Sequence, residues 1–124
     1  MKYGLEIIQT VDGESNVVAV DAIGELTDGE LILKYNFDDA DYTLQISENA
    51  MAQSRGGVLK ISMEFIPEKV TQCRIFDGTS GGSFNIHTKL LSVKFESGNC
   101  RVECEYCGDD GETTRLEIIA RELS

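Results

Sequence analysis

Short runs of alternating apolar and polar residues recur along this chain, and turn-forming pairs such as Asp12-Gly13 and Asp28-Gly29 separate them. Residues two apart in a strand point to the same face of a sheet, so this alternation is typical of half-buried strands. No segment combines ordinary helix length with a clear 3.6-residue apolar period. The pattern therefore predicts an all-β fold that meanders from strand to strand.

The alternation predicts about ten strands with turn signals between them. They cover residues 5–11, 16–26, 31–35, 42–46, 58–65, 70–76, 83–88, 90–96, 100–106 and 112–121. Residues 47–54 fit either one helical turn or a turn followed by a short strand, and we favour the strand because Gly56-Gly57 follows so soon. Gly24, inside the second run, suits a bend or bulge.

The links between these segments are short, which favours antiparallel neighbours in an up-and-down order. Closing such a sheet removes its exposed strand edges, so we favour a barrel over a sandwich. We expect one domain over residues 1–124, a single antiparallel barrel of roughly eight to ten strands.

The charge balance excludes some classes of function. Eleven basic against 22 acidic residues give a net charge of −11, and such a surface repels phosphate backbones and anionic lipids. We therefore expect neither nucleic-acid binding nor membrane binding. The chain opens on a polar-interrupted strand instead of a signal peptide, so we expect a cytoplasmic protein with free thiols.

The Cys104-x-x-Cys107 spacing raises a metal or redox hypothesis. A zinc site could use Cys100, Cys104 and Cys107, with Cys73 or His87 as the fourth ligand. Strand alternation, however, places Cys100 and Cys104 on one face and Cys107 on the other. We favour inert, mostly buried thiols and assign no metal, with zinc and redox chemistry as the alternatives.

Other polar features have ordinary structural explanations. His87, the one histidine, should face solvent from its strand. The acidic loops at Asp38, Asp39, Asp109 and Asp110 lack the spacing of a calcium-binding EF-hand loop. Solvated, turn-forming aspartates account for them, and no serine lies in a nucleophile-elbow sequence.

Arg55 is a candidate functional residue, because basic residues are scarce and it lies beside Gly56-Gly57 among apolar strands. An arginine that points into a barrel can clamp a ligand carboxylate with two hydrogen bonds. The alternative is an ion pair with a carboxylate at the surface or at the end of the barrel.

Several short segments, spread from about residue 3 to residue 122, follow one another in the order found in a known family. They are Gly24-Glu25-Leu26, Leu33-Lys34-Tyr35, Arg55-Gly56, Met63-Glu64-Phe65, a glycine turn, Thr88 and Glu103-Cys104-Glu105-Tyr106. Together they resemble the YwiB-like family of small bacterial β-barrel proteins, a domain of unknown function. The resemblance implies a calycin- or lipocalin-like cytoplasmic barrel with no established activity or cofactor. The cysteine cluster departs from that family, and the absence of tryptophan removes the Gly-x-Trp signature of true lipocalins.

We expect a non-enzymatic protein that binds a small apolar or amphipathic molecule inside the barrel, with no cofactor. The candidate lining residues are Arg55, Tyr35, Met63, Phe65 and Tyr106, with Arg55 as an anion anchor. The first alternative is a filled core in which the aromatic residues only pack. A second is a protein-interaction module whose acidic rim meets a basic partner or a second copy in a homodimer. A third is an enzyme that uses the barrel mouth.

Overall fold

The computed structural model describes residues 1–56, 59–66, 69–77, 80–107 and 111–123. Within these ranges the chain forms ten strands and no helix. They are β1 (Lys2–Val11), β2 (Glu14–Thr27), β3 (Glu30–Phe37), β4 (Ala40–Ser47), β5 (Ala50–Arg55), β6 (Leu59–Phe65), β7 (Lys69–Asp77), β8 (Ser80–Glu96), β9 (Asn99–Cys107) and β10 (Thr113–Glu122). The described part of the chain thus offers no helix that could cross a membrane.

The strands form one antiparallel sheet that closes on itself. Each strand pairs with its neighbours in sequence, and β1 also pairs with β10, from Tyr3 opposite Glu122 to Val11 opposite Thr114. The all-β, up-and-down barrel predicted from the alternation is therefore confirmed. Residues 50–55 form the short strand β5, as favoured over a helical turn.

The hairpin turns include those that the turn-forming residues predict. Pairs of residues with positive φ close four of the hairpins, as the tight turns that match strand twist require. These pairs are Asp12-Gly13, Asp28-Gly29, Asp38-Asp39 and Ser97-Gly98. The first, second and fourth were marked by their glycines, while the third uses two aspartates, which tolerate positive φ better than most residues.

The predicted strands over 83–88 and 90–96 are one continuous strand, β8, so the separation was wrong. Ile86 and Thr88 are buried, and Val93 packs against the core. Thr88 and Val93 are an odd number of residues apart, which regular alternation would place on opposite faces. A register shift between Leu90 and Ser92 inserts one extra residue and restores the inward face.

The bulge expected at Gly24 is absent. Gly24 keeps regular register opposite Leu33, and its N–H donates to the carbonyl oxygen of Met1 at 2.9 Å. A Cβ at this position would lie 2.5 Å from Cε2 of Tyr3 and 2.7 Å from Cδ2 of Leu33. The close approach of the Tyr3 ring and Leu33 therefore explains the glycine.

The two ends of the barrel are distinguished by the path of β1. We call the end where β1 begins the base, and the end that holds the β1–β2 turn the mouth. The strands alternate in direction, so the turns at Asp12-Gly13 and Asp38-Asp39 lie at the mouth. The turns at Asp28-Gly29 and Ser97-Gly98 lie at the base.

Not every ladder runs the full length of its strands. β2 pairs with β1 from Glu14 to Ile23, but with β3 only from Ile23 to Thr27. β3 continues to Phe37 beside β4 without reaching the first half of β2. Both strands lie wholly in the described ranges, so β2 and β3 separate toward the mouth.

Candidate functional site

The interior of the barrel is filled at the base and hollow toward the mouth. On β1, Tyr3 and Leu5 near the base are fully buried, whereas Ile7 is half-buried and Gln9 is exposed. The same gradient occurs on β5, where Met51 is buried and the inward positions after it are half-buried. The side chains that fill the base are Tyr3, Leu5, Ala22, Leu31, Leu33, Leu44, Ile46, Met51, Phe65, Cys100, Val102, Ile118 and Ala120.

A cavity of about 370 Å³ occupies the mouth half of the barrel. The described residues that line it come from β1, β4, β5, β6, β9 and β10, all at inward-facing positions. They are Ile7, Gln9, Tyr42, Gln53, Arg55, Ile61, Met63, Tyr106, Leu116 and Ile118. The volume lies within the roughly 300–1,000 Å³ of typical small-molecule sites. An apolar floor and a polar upper wall give the cavity an amphipathic character.

Arg55 is the only charged residue among the described residues that line the cavity. It lies on the cavity side of β5, directly opposite Tyr42 on β4 and Ile61 on β6. Its Nε atom is buried from solvent. The next residue, Gly56, donates its N–H to the carbonyl oxygen of Asp41 at 2.7 Å, which fixes the end of β5 at the mouth.

Two of the predicted lining residues are buried in the core of the barrel and do not line this cavity. Tyr35 is buried and stacks on Tyr42, with ring centroids 5.0 Å apart and planes 5° apart. Phe65 is fully buried and meets Tyr106 edge-on at 5.9 Å. Both aromatic residues support a wall residue. Arg55, Met63 and Tyr106, by contrast, lie together in the lining.

Sequence reasoning did not single out seven lining residues: Ile7, Gln9, Tyr42, Gln53, Ile61, Leu116 and Ile118. A signal for two of them exists, because Gln9 and Gln53 are polar residues at positions that alternation assigns to the interior. Polar residues on the inward face of a strand mark the part of a barrel that is not packed.

The environment of Tyr35 keeps its hydroxyl neutral. Burial raises the pKa of Tyr35, and the adjacent Tyr42 hydroxyl raises it further. A charged phenolate is thus excluded behind this wall at physiological pH. Tyr35 acts in the site through the position of Tyr42.

The cysteines divide between the two faces of β9, as alternation predicts. Cys100 and Cys104 are free and buried, while Cys107 is half-buried. Burial raises the pKa of the Cys100 thiol to about 11. Burial, with Glu105 adding to it, raises the pKa of Cys104 to about 12. Both thiols are therefore protonated and poor nucleophiles at neutral pH.

The described residues contain no group of three or more histidine, cysteine or acidic side chains placed to hold a metal ion. Cys73, the other proposed zinc ligand, has a side chain outside the described part, as do Asp109 and Asp110. His87 is exposed on the outer face of β8, directly opposite Cys107. His87, Lys89, Glu105, Cys107 and Thr113 line a groove there, together with Tyr106.

The acidic rim at the mouth includes Asp12, Asp38, Asp39 and Asp41, which are all exposed. Asp41 accepts a hydrogen bond from Nδ2 of Asn36 at 3.0 Å across the β3–β4 turn. These carboxylates are solvated groups at or beside tight turns, and they place negative charge on the side of the opening formed by β1–β4.

Comparison with known proteins supports the fold. No protein-family model matches the chain, and no curated protein matches it in sequence. Among solved structures, the crystal structure of the ywiB protein from Bacillus subtilis is similar, with a TM-score of 0.71 and 15% sequence identity. The alignment covers 99% of this chain and 91% of that one. The resemblance to the YwiB-like barrels is thus confirmed at the level of the fold.

Proposed function

We propose that the barrel binds one small amphipathic molecule in the cavity at its mouth, with an anionic end beside Arg55 and an apolar end toward the base. The observation that carries this proposal is the inward position of Arg55 in the wall of a cavity of about 370 Å³. A barrel of roughly this strand number can hold one small ligand, as calycin-like barrels do, and we propose that assignment for this protein.

The chemistry of the wall supports an amphipathic ligand over a purely apolar one. Arg55 offers a planar guanidinium that can donate two parallel hydrogen bonds to a carboxylate. Gln9 and Gln53 are neutral donors and acceptors in the same wall, and Ile7 and Ile118 provide apolar surface. A carboxylate here gains a charge-assisted contact, while an alkyl chain leaves water for the apolar floor.

The free, protonated thiols of Cys100 and Cys104 are consistent with a reducing compartment, so we also propose a cytoplasmic location. The ligand would then be a molecule of the cell interior. Native mass spectrometry of protein purified gently from cells is the first experiment. A retained small mass that denaturation releases supports binding, and a bare chain under the gentlest conditions contradicts it.

Calorimetric titration with octanoate and with octanol tests the role of Arg55. Octanoate should bind more tightly than octanol. Arg55→Met should weaken octanoate binding about tenfold to a hundredfold, because a hydrogen bond to a charged group contributes about 1.5–3 kcal/mol. Octanol binding should change little.

Arg101→Met is the matched control, since Arg101 is exposed on the outer face and pairs with Glu117 at 2.7 Å. This variant should bind octanoate like the wild type. Equal loss in both variants, or an equal effect of Arg55→Met on the acid and the alcohol, would show that Arg55 is not an anion anchor.

A second candidate function is docking of a basic partner on the acidic rim. It is favoured by the exposed carboxylates of Asp12, Asp38, Asp39 and Asp41 at the mouth. A pull-down that moderate salt elutes, and that Asp38→Asn with Asp39→Asn weakens, would support it. Asparagine tolerates the positive φ of these two positions, so the turn should be kept.

A further inference from the structure

The first half of β2 is a strand with a free edge. The tight turn at Asp12-Gly13 makes Val11 and Glu14 a hydrogen-bonded pair, so even-numbered residues of this half bond to β1. The backbone groups of Ser15, Val17, Ala19 and Asp21 therefore point away from β1. In the described ranges β3 pairs with β2 only from Ile23 to Thr27, so it does not cover these groups.

The same four residues are exposed, and Val17 is 61% exposed although it lies within a strand. Their side chains are on the outer face of the barrel, where Val17 lies opposite the half-buried Ile8 of β1. Edge strands with unpaired backbone groups are templates for pairing with another strand. Natural β-sheet proteins protect such edges with charged residues, above all lysine, and with proline. Residues 14–22 contain neither lysine nor proline, and Glu14 and Asp21 are their only charged residues.

We infer that the free edge of β2 is a self-association surface, on which two copies of the chain pair their β2 strands antiparallel about a two-fold axis. When a two-fold axis relates two antiparallel strands, the residue numbers of every two facing residues add up to the same value. Only an even sum places the free backbone groups of both strands against each other. Centring the axis at Val18 uses all four free residues of each strand.

In this register Ser15 of one copy faces Asp21 of the other, and Val17 faces Ala19. Each of the four facing pairs exchanges two backbone hydrogen bonds, about eight bonds in total. Val17 and Ala19 then extend the outer apolar row that begins at Ile8. Every free N–H and C=O of the edge obtains a partner.

This register keeps the acidic residues of the segment apart when a second copy of the strand is the occupant. Glu14 faces Ala22 and Asp21 faces Ser15, so no two carboxylates lie directly opposite each other. Like charges in facing positions would destabilise the pairing. The segment is thus complementary to itself in hydrogen bonding and in apolar side chains, and no carboxylate directly faces another.

Long-range electrostatics oppose the dimer, because each copy carries a net charge of −11. At 0.1 M salt the repulsion is largely screened beyond roughly 10 Å. Added salt should therefore strengthen the association. A basic partner on the acidic rim would respond in the opposite way. The edge alone contributes a small contact, so we expect a reversible, concentration-dependent dimer and not an obligate one.

Sedimentation equilibrium of the full chain, at low and high sodium chloride, tests this inference. The dimer fraction should rise with protein concentration and with salt. Hydrogen–deuterium exchange by NMR should show slower exchange at the amides of Ser15, Val17, Ala19 and Asp21 as concentration rises. Amides of the even-numbered residues, already bonded to β1, should not change.

Val17→Pro removes one free N–H from each copy without removing a bond to β1, so it should raise the dimer dissociation constant about tenfold or more. Val17→Thr keeps the N–H and is the matched control, with little expected effect. A chain that stays monomeric at millimolar concentration in high salt overturns the inference. A dimer that forms without protecting the four amides also overturns it. This second outcome is measured on the wild type, so it holds even if the proline variant fails to fold.

Discussion

The ring of Tyr35 lies parallel to that of Tyr42 at a centroid separation of 5.0 Å, with one residue in the core and the other in the cavity wall. The two face each other across β3 and β4, and the next residue in this row, on β5, is Arg55. The buried ring therefore fixes the wall residue that lies next to the proposed anchor. This row couples packing to the proposed binding site.

We predict that Tyr35→Ala lowers both stability and octanoate affinity. Loss of a buried aromatic side chain costs about 3 kcal/mol and leaves Tyr42 without its stacking partner. Tyr35→Phe keeps the stacked ring and should keep the affinity. Urea unfolding measures the stability and calorimetric titration measures the binding.

Phe37→Ala serves as the stability control on the same strand, because Phe37 is 41% exposed and should contribute far less. If Tyr35→Phe lost as much affinity as Tyr35→Ala, the hydroxyl and not the stacked ring would be the group that matters.

Gly24 and Tyr3 provide a second prediction, which concerns the base. Gly24→Ala should lower the free energy of unfolding by about 1–3 kcal/mol, because the added Cβ would lie 2.5 Å from the Tyr3 ring and 2.7 Å from Leu33. Gly4→Ala is the matched control, since its Cβ would meet only Cδ2 of Leu123 at 3.6 Å. Urea unfolding of both variants should separate them, and equal stability would contradict the account of Gly24.

The course of the strands was predictable because alternation and turn residues are local signals. Asp12-Gly13 and Asp28-Gly29 fix two hairpins. The continuity of β8 was not predictable. Thr88 and Val93 both face inward although they are an odd number of residues apart, because a bulge lies between them, and no residue type in this segment marks that bulge.

The depth of a side chain in the barrel was also hidden from the sequence. Tyr35 and Phe65 point inward like Arg55 and Met63, yet only the last two reach the cavity. Tyr35 is in the same row of facing residues as Tyr42 and Arg55, and it is buried against the stacked Tyr42 ring. Phe65 lies opposite Met51 in the base, and its depth depends on how far each strand is shifted along its neighbours. This shift includes the register of β1 against β10, which alternation within a strand cannot fix.

Thiol labelling provides a third prediction. In a Cys73→Ser background, iodoacetamide should modify Cys107 first, because Cys107 is half-buried while Cys100 and Cys104 are 3% and 0% exposed. Cys100 and Cys104 should react only when the chain unfolds, and peptide mass spectrometry identifies the labelled sites. Protection of Cys107 by added zinc would instead favour the metal hypothesis.

The buried thiol of Cys104 predicts a loss of stability at alkaline pH. Its pKa rises from 9.0 to about 12 on folding, mainly through burial and further through Glu105. Below pH 9.0 the thiol is neutral in both states, and the stability is complete. Between these two values the unfolded chain releases its proton while the folded chain keeps it. Unfolding then becomes easier by up to about 1.4 kcal/mol per pH unit for this group.

Urea unfolding of the wild type across this pH range should show the free energy of unfolding falling with pH. Cys104→Ala should start lower, because a small cavity forms, but its free energy should fall less steeply with pH. Val102→Ala is the matched control, since Val102 is equally buried and does not titrate, so it should lose stability and keep the wild-type slope. The same slope in all three proteins would show that the Cys104 thiol is not linked to alkaline unfolding.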